Sequence, residues 1–233
     1  MKVVLSILTT AAVANAHFTM QYMWINGVDQ GLNNSSARSS KQQPSDGRDV
    51  HRPHLQRELD FLARVLQLQL LPQVQTSRIL EWHQHAQRTG EPAISGGHKG
   101  PVQVYIAPAG PVGSASSFNG QGSVWTKIYS SGLVDPATQE WASDVVNANN
   151  GKHSVIIPPS LPSGDYLIRG EIIALHVAET YPGAQFYIGC AQVTITGGGN
   201  AKPPTIALPG AYKGSDPGIT VRINCRHRPL MRY

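Results

Sequence analysis

Short β-rich runs recur along this chain, and Gly, Pro or Asn interrupts each one before a helix can form. That punctuation restricts the fold more than any other feature. The runs are HFTMQYMWI closed by Asn26-Gly27, GPVQVYI at 100–106, KHSVII at 152–157 closed by Pro158-Pro159, DYLIRGEIIALHV at 165–177, FYIGCAQVTIT at 186–196 closed by Gly197-Gly198-Gly199, and a last short run at 218–223. Asn-Gly is the dipeptide a tight turn prefers, and strands at this spacing build layered sheets rather than bundles. The pattern predicts an all-β domain, an immunoglobulin-like or fibronectin-like β-sandwich. Composition agrees: 23 Gly and 17 Pro work against a coiled coil, while only 14% charged residues excludes a self-repelling disordered chain. Two cysteines exclude a disulfide scaffold and a four-thiolate metal site.

The formal charge is +5, but its location matters more than its size. Residues 41–80 carry six basic and four acidic side chains, and residues 221–233 carry four Arg and no acid. The remainder is close to neutral. The excess therefore belongs to two segments and is not the footprint of a nucleic-acid surface. Those segments also differ in composition. Residues 41–80 hold eight Leu and seven Gln with one Gly, and Leu59, Leu62, Val65, Leu66 and Leu70 fall near helical spacing. Either a helical insertion stands there, or both stretches are translated in a wrong frame or include unspliced intron.

The first sixteen residues, MKVVLSILTTAAVANA, combine a basic start at Lys2, an apolar stretch and a small-x-small site at Ala14-Asn15-Ala16. That pattern predicts a signal peptide over 1–16, the alternative being a buried first strand. No later run is long and apolar enough to span a membrane. The expected product is soluble and extracellular, one domain over 17–233, with overlapping glycosylation sequons at Asn33 and Asn34. Cleavage after Ala16 makes His17 the first residue. A free N-terminal His offers its α-amino nitrogen and its ring Nδ1 to one metal, a chelate that suits the tetragonal preference of Cu(II). One His alone is far short of a ligand set. His83 and His85 form a His-x-His pair, and His98 stands beside a turn. His176 and Tyr187 sit in apolar strands, where a packed core residue is the ordinary reading.

Taken together, several blocks carry a family pattern: His17 followed by INGVDQG, EWH at 81–83 running to HKGPVQVYIAP at 98–108, IYSSGL at 128–133, WASD at 141–144, IPPSLPSGDYLIRGEIIALHVA at 157–178, GAQFYIGCAQVTITGGG at 183–199 and SDPGI at 215–219. They cover most of 17–38 and 81–221. The chain resembles the fungal copper-dependent lytic polysaccharide monooxygenases of auxiliary activity family nine, once classed as glycoside hydrolase family sixty-one. The resemblance implies a β-sandwich whose long loops form a flat substrate face. It implies one copper ion held by His17, through two nitrogens, and by His98, with Tyr187 axial. It makes His176 and Gln185 an outer pair that hydrogen-bonds the reactive oxygen species. It ranks His98 above His83 and His85 as the loop ligand, and it makes Tyr212 a surface ring for sugar stacking, with Tyr22 and Trp24 as weaker candidates that packing would equally explain. Arg169 and Glu171 also match a family pattern, although pairing with each other explains both.

The implied activity is oxidative cleavage of cellulose or a related β-glucan at C1 or C4. It uses an external electron donor and O2 or H2O2, in a monomeric enzyme. A non-catalytic polysaccharide- or copper-binding protein on the same fold is the alternative. A glycoside hydrolase is a third reading, but it needs two carboxylates flanking the scissile bond, and the acids here are few and scattered. The family's disulfide partner for Cys190 is missing from residues 41–80, which leaves a bridge to Cys225 or none.

Overall fold

A computed structural model describes residues 22–25, 28–32, 73–75, 79–83, 94 and 97–223. Strands β1 (Tyr22–Ile25) and β2 (Val28–Leu32) form the hairpin that Asn26-Gly27 predicts, with Ile25 opposite Val28. β3 (Gln73–Gln75) and β4 (Ile79–His83) follow, then β5 (Val102–Gly110), β6 (Ser123–Ser131), β7 (Leu133–Asp135) and β8 (Glu140–Trp141). A short helix α1 (Ala142–Ala148) leads into β9 (Lys152–Ile156), β10 (Gly164–Ala174), β11 (Gln185–Thr196) and β12 (Ile206–Ala207). One sheet has the order β2-β1-β4-β9, the other β12-β6-β5-β10-β11-β3, and β7 pairs β8 separately.

The two sheets share one apolar core. Val155 of β9 clusters with Val102, Val104 and Ile106 of β5, Ile168 and Ile172 of β10, and Ala191, Val193 and Ile195 of β11. Side chains alternate across a strand, so even-numbered residues of β5 and β10 and odd-numbered residues of β11 all point into this layer. All eleven residues of β10 are nevertheless buried, because its outer face is covered as well. Trp141, Ile173, Leu175, Phe186 and Ile188 pack there against Ile219 and Ile223 of the C-terminal segment. The molecule is a β-sandwich, as the turn spacing predicts.

The strand expected over 218–223 is absent. Ile219 and Ile223 are buried, but Val221 N–H donates to the Ala178 carbonyl at 2.8 Å and no sheet ladder forms. A segment can bury apolar side chains from a loop when one anchoring bond replaces a register. The expected signal peptide, His17, the sequons at Asn33 and Asn34, the Leu59–Leu70 helix, His85 and Cys225 all lie outside the described residues.

Candidate functional site

The site is built where the β5–β10 ladder runs past the ends of its strands. Val102 lies opposite Ile172. Beyond that pair the ladder continues: Ile173 N–H donates to the Pro101 carbonyl at 3.0 Å, and Leu175 N–H to the Lys99 carbonyl at 2.8 Å. Carried one step further, this register sets His98 beside His176. Their ring centroids are 4.5 Å apart and the planes are tilted by 54°. The close approach needs Gly100, because a Cβ there would fall 1.8 Å from the Ile173 carbonyl oxygen.

β11 supplies the rest. Ile172 faces Tyr187 and Ala174 faces Gln185 across the β10–β11 ladder. Tyr187 and Gln185 are two residues apart and therefore share a face. The Tyr187 ring meets His98 edge-on, with centroids 5.3 Å apart and an interplanar angle of 83°. Its hydroxyl donates to Gln185 Oε1 at 2.8 Å, which leaves the Gln185 amide nitrogen as that side chain's donor. Burial raises the Tyr187 phenol above the usual tyrosine range, so it stays protonated at neutral pH. The loop from β10 to β11 is closed by Gly183, whose Cβ position would lie 2.0 Å from the Val177 carbonyl oxygen. Four of the residues singled out in the sequence, His98, His176, Gln185 and Tyr187, are thus brought to one end of the six-stranded sheet.

Tyr212, expected as a surface ring, is partly buried and stands apart from these four. Its ring packs on Phe186 at 5.1 Å, on the outer face of the sheet. Its hydroxyl donates to Glu171 Oε1 at 2.5 Å and lies 2.6 Å from the Tyr105 hydroxyl. Burial first, then the nearby Glu171 charge, pushes this phenol far above its ordinary range. The hydroxyl is thus turned inward, while the residue as a whole remains partly exposed. Arg169 and Glu171 pair with each other on this same outer face at 2.7 Å. His83 lies in β4, opposite Tyr22 of β1 and Lys152 of β9, and Trp24 lies opposite Glu81. Sequence reading passed over His153 of β9. It is buried, and its ring stands 4.6 Å from that of Tyr129. Burial lowers its pKa from 6.5 to about 4, so it is neutral and packed. Only its alternation with Val155 could have marked it as inward-facing.

Among the described residues no group of three His, Cys, Asp or Glu side chains is set to hold a metal. The donor types nevertheless fit a copper ion. Two imidazoles, a neutral phenol and an amide stand together, and imidazole nitrogen is a ligand that copper prefers.

Comparison with known proteins bears on this site. The family model for Auxiliary Activity family 9, formerly GH61, matches residues 17–233. A lytic polysaccharide monooxygenase A of that family from Aspergillus clavatus is 38% identical over 217 residues, covering 92% of this chain and 58% of the relative. The chain spans about half the length of other curated relatives as well. The solved structure CvAA9A superposes with a TM-score of 0.71 at 28% identity, covering 92% of this chain and 95% of that one. A cellulose-active polysaccharide monooxygenase from M. thermophila superposes with a TM-score of 0.64 at 25% identity, covering 93% and 96%. With the sandwich, the paired histidines at the sheet end and a family match over nearly its whole length, the chain belongs to Auxiliary Activity family 9.

Proposed function

We propose that this chain is a secreted copper-dependent lytic polysaccharide monooxygenase that cleaves β-1,4-glucan chains oxidatively. The observation that carries the reading is the convergence of His98, His176, Gln185 and Tyr187 at one sheet end in a chain of this family. The family match begins at His17, in keeping with a mature domain that starts there after removal of residues 1–16.

His17 would give its α-amino and ring nitrogens to the copper ion, and His98 one ring nitrogen. Copper bound there supplies one-electron redox chemistry, cycling between Cu(II) and Cu(I) with electrons from an external donor and with O2 or H2O2 as oxidant. The residues of the chain do the rest. The backbone bond from Leu175 to Lys99 places His98 beside His176. Tyr187 closes one side of the site with a protonated phenol, a weak ligand that leaves room for small oxidants. The Tyr187 hydroxyl engages Gln185 Oε1, which leaves the amide N–H groups to donate to an oxidant at this site. His176 stands next to His98 and can donate a ring proton to an oxygen atom held there. Groups that orient in this way tune a bound metal without ligating it. The substrate is an extended β-glucan such as cellulose, laid across the loops at this end. That substrate is supported by the cellulose-active structural relative.

The test is product analysis. Copper-loaded protein with ascorbate and amorphous cellulose should release oligosaccharides carrying a C1 or C4 oxidation, and none without copper or reductant. Copper-dependent binding with no oxidised product would leave a non-catalytic binding protein. Ordinary reducing ends released without reductant would make it a hydrolase.

A further inference from the structure

The His98 loop is gripped on both sides by one face of α1. Upstream, Asn147 Oδ1 accepts from Ile94 N–H at 2.8 Å, and Asn147 Nδ2 donates to the Ile94 carbonyl at 2.9 Å. Downstream, Gly100 N–H donates to Ser143 Oγ at 3.0 Å, and Ser143 N–H returns a bond to the Gly100 carbonyl at 3.2 Å. Ser143 and Asn147 are four residues apart, so they lie one turn apart on the same helical face. His98 falls between the two clamps, four residues after Ile94 and two before Gly100. A third tie comes from Lys99, whose Nζ donates to Asp144 Oδ2 at 3.2 Å and to the Gln139 carbonyl at 2.9 Å. The helix needs these contacts little for its own sake. Its Ala142 and Val146 already pack into the core, and Asp144 already accepts Trp141 N–H at 2.9 Å. Two of its side chains instead satisfy both backbone groups of Ile94 and the N–H of Gly100.

We propose that α1 is a splint for the metal-binding loop, and that Ser143 and Asn147 are positioning residues that fix the His98 imidazole for copper. This rests on His98 being a copper ligand. A loop free to shift would have to be ordered at the moment of binding, which weakens affinity. A loop already clamped presents its nitrogen at fixed direction.

The experiment uses the full secreted protein. Ser143→Ala, Asn147→Ala and the conservative Ser143→Thr are compared with Tyr166→Phe, which removes a hydroxyl bond to the Pro162 carbonyl away from His98. Cu(II) affinity is measured by competition titration, the copper environment by electron paramagnetic resonance, and the melting temperature on metal-free protein. Ser143→Ala and Asn147→Ala should each weaken copper binding by about tenfold and alter the copper hyperfine splitting. Ser143→Thr should restore both, and Tyr166→Phe should lower the melting temperature with copper binding unchanged. If Asn147→Ala does not fold, Asn147→Asp keeps the acceptor for Ile94 N–H, loses the donor, and should show a smaller loss of about threefold. Wild-type affinity and spectrum in the Ser143 and Asn147 variants overturn the splint. Failure of the wild-type protein to bind copper overturns the copper reading itself and the splint with it.

Discussion

The two faces of the β10–β11 pair carry polar groups in different ways. On the outer face, Arg169, Glu171, Tyr212, Tyr105 and Gln103 form a closed series. Arg169 pairs with Glu171, Tyr212 donates to Glu171, and Tyr105 lies between Tyr212 and Gln103 Oε1. Glu171 is fully buried and Arg169 is 6% exposed, and each is met by the other's charge. Burial works against the Arg169 charge, and the Glu171 carboxylate more than restores it, holding the guanidinium above its usual pKa. On the inner face, apolar residues run along both strands until the sheet end, where His98, His176, Gln185 and Tyr187 gather. The same strands thus hold a polar cluster that serves the fold and another suited to chemistry. Burial of a charged pair marks the first, and convergence of imidazole, phenol and amide groups at a sheet end marks the second.

That contrast breaks most sharply at His98. His98→Ala should reduce copper affinity by more than about 100-fold and abolish oxidised products. It should leave the melting temperature of the metal-free protein nearly unchanged. Titration and melting of the same preparation check both halves. Glu171→Ala should do the reverse. Removing one partner leaves a buried, uncompensated guanidinium, at a cost of about 3–5 kcal/mol. The melting temperature should then fall by on the order of 10 °C, with copper affinity unchanged in the folded protein.

His153 sharpens the inner face. Its pKa falls on folding from 6.5 to about 4, so below pH 6.5 the unfolded chain binds a proton that the folded chain refuses. Stability is therefore full above about pH 6.5 and is lost as pH falls towards 4, by on the order of 3 kcal/mol. His153→Leu should flatten that slope in urea unfolding at pH 7, 5.5 and 4. The smallest effect is expected from Tyr187→Phe, which removes the bond to Gln185 and should cost about 1 kcal/mol of stability. It should also change the copper spectrum, whereas Tyr105→Phe on the outer face should not.

Much of this was legible in the residues. The β-rich runs DYLIRGEIIALHV and FYIGCAQVTIT, bounded by turn formers, predict the two long strands, and they form as Gly164–Ala174 and Gln185–Thr196. Gln185 two residues before Tyr187 already implies a shared face, whereas His176, read as part of a strand over 165–177, falls two residues beyond the strand end at Ala174. What such runs do not give is register. Which residue of HKGP meets which residue of ALH depends on the β5–β10 ladder, and only that register sets His98 beside His176. The inward hydroxyl of Tyr212 was not legible for a related reason. Its local context reads as an exposed loop, and nothing nearby in sequence announces that Glu171, 41 residues away, accepts its hydroxyl proton. The last run, at 218–223, reads as a strand because Ile219 and Ile223 are apolar, but burial from an anchored loop needs no alternation. The helix α1 was missed because seven residues are too few to show a helical period.

The most direct test is a Cu(II) titration of the purified, metal-free protein, followed by calorimetry and electron paramagnetic resonance, with its first residue identified by N-terminal sequencing. The account expects a chain that starts at His17 and takes up one copper per molecule, with nitrogen hyperfine structure in the spectrum. A chain that starts elsewhere, or one that takes up no copper at equimolar ratio, contradicts it.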